Sequence, residues 1–582
     1  MRPFRTAFTL AALAAAFPAF AQAPLVTAVS PARESLSALP TTTVEVTFDR
    51  ALDPASVSTA TVRVFGNWTG LKTTGTFQLS DGNRTLRFTP DERFQSGERV
   101  MVQLSRGLRA ADGTPLERAY AWHFWTRALS GGLDQTEVSR ISVRRPGEGN
   151  TVAYGAYAGD LDGDGYGDLA VVNEATNDLR VFRNDGAGHY PTTFEVVPVP
   201  NGSVPSPNEG GDFNNDGHID IAVANTTNDR LSVLLGDGAG HFPTGASYAA
   251  GQAVRGVGAL DLDGDGDDDL VTAHRQGNDV GLFLNNGNGT FAAVQRMEGQ
   301  ASSEYGIAVA DANRDGLLDV FVGSFNTSEV VLLLGNGTGG LTYAARRAVG
   351  GNPWQFAVGD IDNDGDVDVA SAGSYAHNFT VSWGDGAGGF SGANTFPTGN
   401  FVVAIDLGDL DGDGDLDVVT SNYASRDLRV HENLGGGQFG NVRRLNVVGN
   451  GSCATLHDRD NDGDLDITGI DEGADMVYLY LNPGTPTNNP DPIPEENDLL
   501  VGGPNPFRDQ TTLRVELAEP RTTSLRIYDV LGREVAALID GRRLAEGTHT
   551  FTWDARAVPP GLYIAQLRVS TSVLERKLMV VR

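Results

Sequence analysis

The sequence predicts an all-β chain: a seven-bladed β-propeller with a β-sandwich at each end. Three observations carry that prediction. A nine-residue acidic pattern recurs seven times, starting at Asp160, Asp212, Asp261, Asp311, Asp360, Asp409 and Asp458, at intervals of 49 to 52 residues. A four-stranded blade needs about that length. Glycine accounts for 73 of 582 residues, and no segment has helical periodicity, so short strands and tight turns are favoured. The flanking segments alternate apolar and polar residues between Gly and Pro turns, as half-buried strands do.

Taken in order, the chain opens with Met1-Arg2-Pro3-Phe4-Arg5, a mostly apolar run from Ala7 to Phe20, and Ala21-Gln22-Ala23. A basic start, an apolar stretch and small residues at the end describe a secretory signal peptide over residues 1–23. No cysteine follows the cut, which argues against a lipid anchor, and no other apolar run is long enough to span a bilayer. Residues 24–128 then read as strands, with Val44-Glu45-Val46-Thr47-Phe48, Thr85-Leu86-Arg87-Phe88-Thr89-Pro90 and a closing Trp122-His123-Phe124-Trp125. Together with Phe48-Asp49-Arg50-Ala51-Leu52-Asp53 and the Asp112-Gly113-Thr114-Pro115-Leu116 turn, this segment resembles the bacterial Ig-like domains of surface proteins. The resemblance implies an Ig-like sandwich that acts as a spacer.

Each repeat reads D-x-(D/N)-x-D-G-x-x-D followed by an aliphatic residue. The first comprises Asp160, Asp162, Asp164, Tyr166 and Asp168 at positions 1, 3, 5, 7 and 9. The second has Asp212, Asn214, Asp216, His218 and Asp220, and the third Asp261, Asp263, Asp265, Asp267 and Asp269. Asp311, Asn313, Asp315, Leu317 and Asp319 make the fourth; Asp360, Asp362, Asp364, Asp366 and Asp368 the fifth. Asp409, Asp411, Asp413, Asp415 and Asp417 follow, then Asp458, Asp460, Asp462, Asp464 and Asp466. A hard divalent ion such as Ca²⁺ takes six to eight oxygens, which carboxylates at alternate positions of a tight loop supply. Side chains at 1, 3, 5 and 9 and the backbone carbonyl at 7 would be the ligands, so position 7 is free to vary. Gly fills position 6 throughout, where the chain must turn at positive φ. No Glu stands at position twelve and strand-like residues follow, so this is an EF-hand-like loop set between strands. About seven Ca²⁺ are expected, one per blade, and they would bring the formal charge from −32 to −18.

A second signal follows each loop start by about 24 residues, as in Asn184-Asp185-Gly186-Ala187-Gly188-His189 and Gly236-Asp237-Gly238-Ala239-Gly240-His241. It reads as a hairpin turn between third and fourth strands and not as a phosphate cradle, since no Lys follows and no helix opens. Together the two signals resemble the FG-GAP/VCBS repeats of integrin-α-like propellers, over residues 133–483. The seventh repeat runs out after its third strand, Met476 to Leu481, so Glu137 to Val143 should supply its fourth and lock the ring.

A linker (484–498) leads to residues 499–582, where Pro504-Asn505-Pro506-Phe507, Leu525-Arg526-Ile527-Tyr528-Asp529, Trp553 and Pro560-Gly561-Leu562-Tyr563 stand among alternating apolar residues. This stretch resembles the C-terminal sorting domains of type IX secretion substrates and implies export across the outer membrane by that machinery.

Aspartate and glutamate outnumber lysine and arginine by 75 to 43, which excludes nucleic acid and anionic membrane surfaces as partners. One cysteine, Cys453, excludes an internal disulfide framework. No nucleophile elbow, zinc, Walker or CxxC motif is present, and the nine histidines have no ligand spacing. The expectation is a secreted or cell-surface, calcium-binding and non-catalytic protein that takes an extracellular glycan or protein ligand. A calcium-dependent polysaccharide-active enzyme and a structural stalk are the alternatives. Its ligand face would lie opposite the acidic loops, on His274, Arg275, Phe325, Trp354, Tyr375, His377, Tyr423 and Arg426, whose aromatic and basic groups suit a sugar or an acidic polymer.

Overall fold

The computed structural model describes residues 23–484 and, beyond them, 497–501, 507–517, 521–529, 533–545, 547–569 and 572–581. Residues 1–22 of the expected signal peptide (1–23), most of the linker and the Pro504-Asn505-Pro506 motif lie outside the described residues. Among the described residues all regular structure is β-strand except two single turns of 3₁₀ helix.

The N-terminal segment folds into two four-stranded antiparallel sheets. One orders Val26–Ser30, Val44–Phe48, Thr85–Pro90 and Gly75–Ser80; the other orders Gly70–Leu71, Val62–Gly66, Arg99–Leu104 and Tyr120–Trp125. Their alternating apolar residues meet in a core of Val46, Phe48, Phe88, Val64, Val102 and Trp122. Trp122 is buried there and its Nε1 donates to the carbonyl of Pro31 at 3.1 Å.

Seven four-stranded antiparallel sheets follow. Their first strands are Ala153–Gly159, Pro205–Gly211, Val254–Leu260, Glu304–Ala310, Pro353–Gly359, Val402–Gly408 and Gly451–His457. Each packs on the next, and the first packs on the last, so the sheets close into a ring around a central channel. In six sheets the strands pair in chain order. The seventh takes its outer strand, Thr136–Ser142, from the N-terminal side, with Val477 opposite Ile141 and Met476 opposite Ser142. That pairing ties the two ends of the ring together. Every second strand, from Asp168–Asn173 to Asp466–Asp471, is buried along all six residues. Covered on both faces by neighbouring sheets, such a strand is apolar in a run and does not alternate. The channel is narrow enough to demand small residues: a Cβ on Gly210 would lie 2.2 Å from the Tyr157 ring.

At the C-terminus a three-stranded and a four-stranded sheet face each other over Leu513, Val515, Leu525, Ile527, Trp553 and Tyr563.

Candidate functional site

All seven acidic loops occupy the same place. Position 1 directly follows a first strand and position 9 opens the second, so the loops gather at one end of the ring. Their backbones agree closely. Gly at position 6 has φ between +84° and +100° in every copy, a region costly for residues with a Cβ. Position 1 accepts the N–H of that Gly through Oδ2, at 3.0 Å for Asp160 and Gly165 and 2.8 Å for Asp360 and Gly365. Position 5 accepts the N–H of position 7, as Asp315 does from Leu317 at 2.8 Å.

In five loops three carboxylates bring ligand oxygens within 4.8 Å of one another and could hold a metal ion: Asp160, Asp162 and Asp168; Asp261, Asp263 and Asp265; Asp360, Asp362 and Asp368; Asp409, Asp411 and Asp417; Asp458, Asp460 and Asp462. The donor set is hard oxygen, and Asp162 Oδ1 and Asp458 Oδ1 are buried without a hydrogen-bond partner, so these residues fit a hard cation. The other two loops carry Asn214 or Asn313 at position 3. An N-terminal arginine reaches each of them: Arg63 donates to Asn215 Oδ1 and Arg33 pairs with Asp311.

Position 9 has a second duty that the spacing alone did not reveal. Its Oδ1 accepts the backbone N–H sixteen residues on, at the end of the third strand, in every copy: Asn184 at 2.7 Å, Gly236 at 2.8 Å, Asn285 at 2.7 Å, Gly335 at 2.9 Å, Gly384 at 2.8 Å, Asn433 at 2.8 Å and Asn482 at 2.8 Å. In the first six copies its Oδ2 also accepts the N–H of position 2. Position 9 therefore clamps the loop to its own sheet. Burial pushes Asp168, Asp220, Asp269 and Asp319 up to about 8 and Asp368 to about 9, with neighbouring aspartates adding to the effect.

Position 4 was also missed, although it is Gly or Asn in six of seven copies. It too has positive φ in all seven, Arg314 included. Its side chain links neighbours: Asn215 donates to Asp267 at 2.7 Å, Asn363 to Asp415 at 2.5 Å and Asn461 to the Gly165 carbonyl at 2.9 Å, while Arg314 pairs with Asp366. Four of the seven loops thus touch the next one around the rim through this side chain, while the other three have Gly there.

The Ig-like sandwich is seated on this rim and does not stand off as a spacer. Backbone N–H groups of Arg106, Ala121 and Leu129 donate to loop carbonyls of Gly264, Gly316 and Gly463 at 3.0, 2.6 and 2.7 Å. Arg63 and Gln103 both bond Asp268, at 3.1 and 3.2 Å. Trp125 packs with Ile361 and Leu416 of the ring. The sandwich closes one end of the channel, leaving a cavity of about 290 Å³ walled by His123, Trp125, Tyr157, Glu209 and Gln355.

The other end is open. Of the residues expected there, Phe325, Trp354, Tyr375 and Tyr423 do converge, joined by Tyr305 and Phe401, which the sequence reading did not single out. Ring centroids lie 4.3 Å apart for Tyr305 and Phe325, 5.0 Å for Tyr305 and Trp354, 5.6 Å for Trp354 and Phe401, and 5.8 Å for Phe401 and Tyr423. Arg275 touches the Tyr305 hydroxyl at 3.4 Å. His377 and Arg426 are exposed. His274 is not a surface group: it is fully buried, bonded to Asp279 at 2.7 Å and accepting the N–H of Gly251 at 3.1 Å. Cys453 lies half-buried in the channel wall with its thiol pushed up to about 11 by burial.

Comparison with known proteins agrees with this architecture. The FG-GAP-like repeat family matches residues 212–272, 261–322, 311–371, 360–420 and 409–468. The bacterial Ig-like domain family matches 21–126, and the secretion system C-terminal sorting domain family matches 504–581. No curated protein matches the chain. Among solved structures, a Lactobacillus plantarum protein is 14% identical (TM-score 0.39) and covers 67% of this chain and 98% of its own. The periplasmic gluconolactonase of Pseudomonas aeruginosa is 13% identical (TM-score 0.35; 70% and 98%), and an auxiliary nutrient binding protein of Bacteroides thetaiotaomicron 11% (TM-score 0.34; 79% and 98%). Likeness at that level bears on neither ligand nor activity. Among the described residues no helix is long and apolar enough to cross a membrane. The sorting domain directs type IX secretion to the cell surface or beyond and engages that machinery. The chain is therefore a surface or secreted FG-GAP-like repeat protein, with a bacterial Ig-like domain before the repeats and a type IX sorting domain after them.

Proposed function

We propose that this protein is a calcium-dependent, non-catalytic binding protein of the cell surface, exported by its signal peptide and sorting domain, with a glycan as its ligand. Residues 133–483 act as a seven-bladed propeller. Its loops hold calcium through side chains at positions 1, 3, 5 and 9 and the carbonyl at 7. The observation that supports this most directly is the repeated gathering of three carboxylates within 4.8 Å on one rim. Three anions at that spacing, all but two of the fifteen buried or half-buried, repel one another unless a cation or protons compensate them. A bound divalent ion supplies that compensation and stiffens the loop.

The residues of the chain do the rest. Position 9 couples each loop to its sheet, position 4 couples four of the seven loops to the next, and the Ig-like domain seals that end of the channel. Loading the rim would therefore rigidify the whole ring and hold the opposite, open end in shape. A fixed surface of rings and hydrogen-bonding groups supports a binding role.

The test is calcium stoichiometry of the purified chain by equilibrium dialysis, with melting followed in calcium and in EDTA. Several ions per chain and a chelator-sensitive transition are expected; no bound calcium would end this reading. A glycan array with and without chelator separates a binder from an inert stalk, and release of unsaturated sugars would favour an enzyme.

A further inference from the structure

The open end of the channel carries features beyond an aromatic patch. Trp354, on the fifth sheet, crosses to the first sheet, where its Nε1 donates to the Tyr154 hydroxyl at 2.6 Å. Arg255 sits between them, its guanidinium 5.7 Å from the Trp354 ring and 5.9 Å from the rings of Tyr154 and Tyr305. Together they frame a cavity of about 160 Å³ that also meets Asn208 and Gln355, space on the scale of one sugar ring. Three buried polar atoms at or beside it lack hydrogen-bond partners: Arg255 Nε and Asn208 Nδ2 on its wall, and Glu174 Oε1 next to Arg255. Arg255 and Glu174 approach only to 3.9 Å, beyond hydrogen-bond reach.

We propose that this mouth binds a neutral sugar residue of an extracellular glycan, stacked on Trp354 and held through its hydroxyls by Arg255, Glu174 and Asn208. This rests on the reading of the protein as a glycan binder and names its site and sugar class. The argument is chemical complementarity. Two orphaned donors beside an orphaned acceptor match vicinal hydroxyls, each of which donates and accepts. The ring faces offer the flat apolar surface that the C–H face of a pyranose covers. A cationic guest is disfavoured by repulsion from the Arg255 guanidinium beside the rings. A uronate is disfavoured as well. Glu174 and Glu472 stand at the mouth with Glu209 just below, and burial together with Glu174 raises Glu472 to about 7, which marks the mouth as unfavourable to a further negative charge. The sequence expectation of a sugar or an acidic polymer thus narrows to the first.

The test uses the full chain in calcium, titrated calorimetrically with two sets of probes: neutral oligosaccharides (glucan, galactan and mannan fragments) and uronate oligosaccharides (alginate and pectate fragments). Binding to at least one neutral probe is expected, lowered about tenfold or more by Trp354→Ala and about fivefold by Glu174→Gln, with melting temperatures unchanged. Should Trp354→Ala fold poorly, Glu174→Gln and Tyr154→Phe carry the test, because neither removes packing volume. Binding only to uronates, binding indifferent to all three variants, or no binding to any neutral probe overturns the proposal. Sugar binding that persists unchanged in a chain stripped of calcium would leave the mouth site standing and remove the calcium dependence of the proposed function.

Discussion

The fifth acidic loop offers the sharpest separation between a metal site and an acidic turn. Asp360, Asp362 and Asp368 place oxygens within 4.8 Å of one another. At an effective dielectric of 20, each fully ionised pair at that distance repels by about 3 kcal/mol. Asp362 is half-exposed and makes only a long bond, from the Asp364 N–H at 3.2 Å, whereas Asp368 is buried and accepts from Gly384 at 2.8 Å and Ile361 at 3.0 Å. Two substitutions should therefore behave differently. Asp362→Asn removes charge but little structure. In EDTA it should stabilise the ring by about 1 kcal/mol, well below the full repulsion because Asp360 and Asp368, at about 8 and 9, are mostly protonated at pH 7. In millimolar calcium the same change weakens a ligand set and should destabilise by about 2 kcal/mol. Asp368→Ala strands two buried N–H groups and should cost roughly 2–6 kcal/mol in both conditions. Urea unfolding of each variant, followed by circular dichroism with calcium and with EDTA, reads all four values. If Asp362→Asn moves the midpoint in the same direction in both buffers, the loop is an acidic turn and the metal argument fails.

Other expectations follow from particular contacts. In EDTA the position-9 aspartates have folded-state values raised above the usual 3.8, to about 8 for Asp168, Asp220, Asp269 and Asp319. The folded chain then binds more protons than the unfolded one between about pH 4 and 8, so stability should fall as pH rises through that window. A chelated melting temperature that climbs from pH 5 to pH 8 would contradict this. Gly316→Ala places a Cβ 2.4 Å from the Tyr120 ring at φ +84°, whereas a Cβ on Gly414, at φ +91°, meets nothing within 4 Å. Both should lose about 1–2 kcal/mol to backbone strain, but only Gly316→Ala should also loosen the Ig-like domain, read as faster proteolysis near residues 127–135. Equal proteolysis of the two variants would refute the seating of that domain on the rim. Cys453, held at about 11, should alkylate slowly with iodoacetamide at pH 8 in the folded chain; rapid stoichiometric labelling would place it in a different environment.

Much of this molecule was legible from the order of its residues. The nine-residue period placed a loop before each second strand because turn chemistry is local: a carboxylate two or four residues from a backbone N–H, and a glycine where φ must be positive, need no distant partner. The truncated seventh repeat even announced its missing strand, since a blade lacking its fourth strand leaves the Met476–Leu481 edge unpaired, and Thr136–Ser142 covers it. Local pattern did not reach contacts made across the ring. His274 looked like a loop residue and is a buried partner of Asp279; Arg255 of the third sheet and Tyr154 and Glu174 of the first carry no shared motif and meet only at the channel mouth. The Ig-like sandwich read as a spacer because alternation shows which face of a strand is apolar and not what the domain's outer surface will touch. Loop chemistry is written within a few residues, whereas the channel, its cap and its open end exist only where seven separately encoded sheets converge.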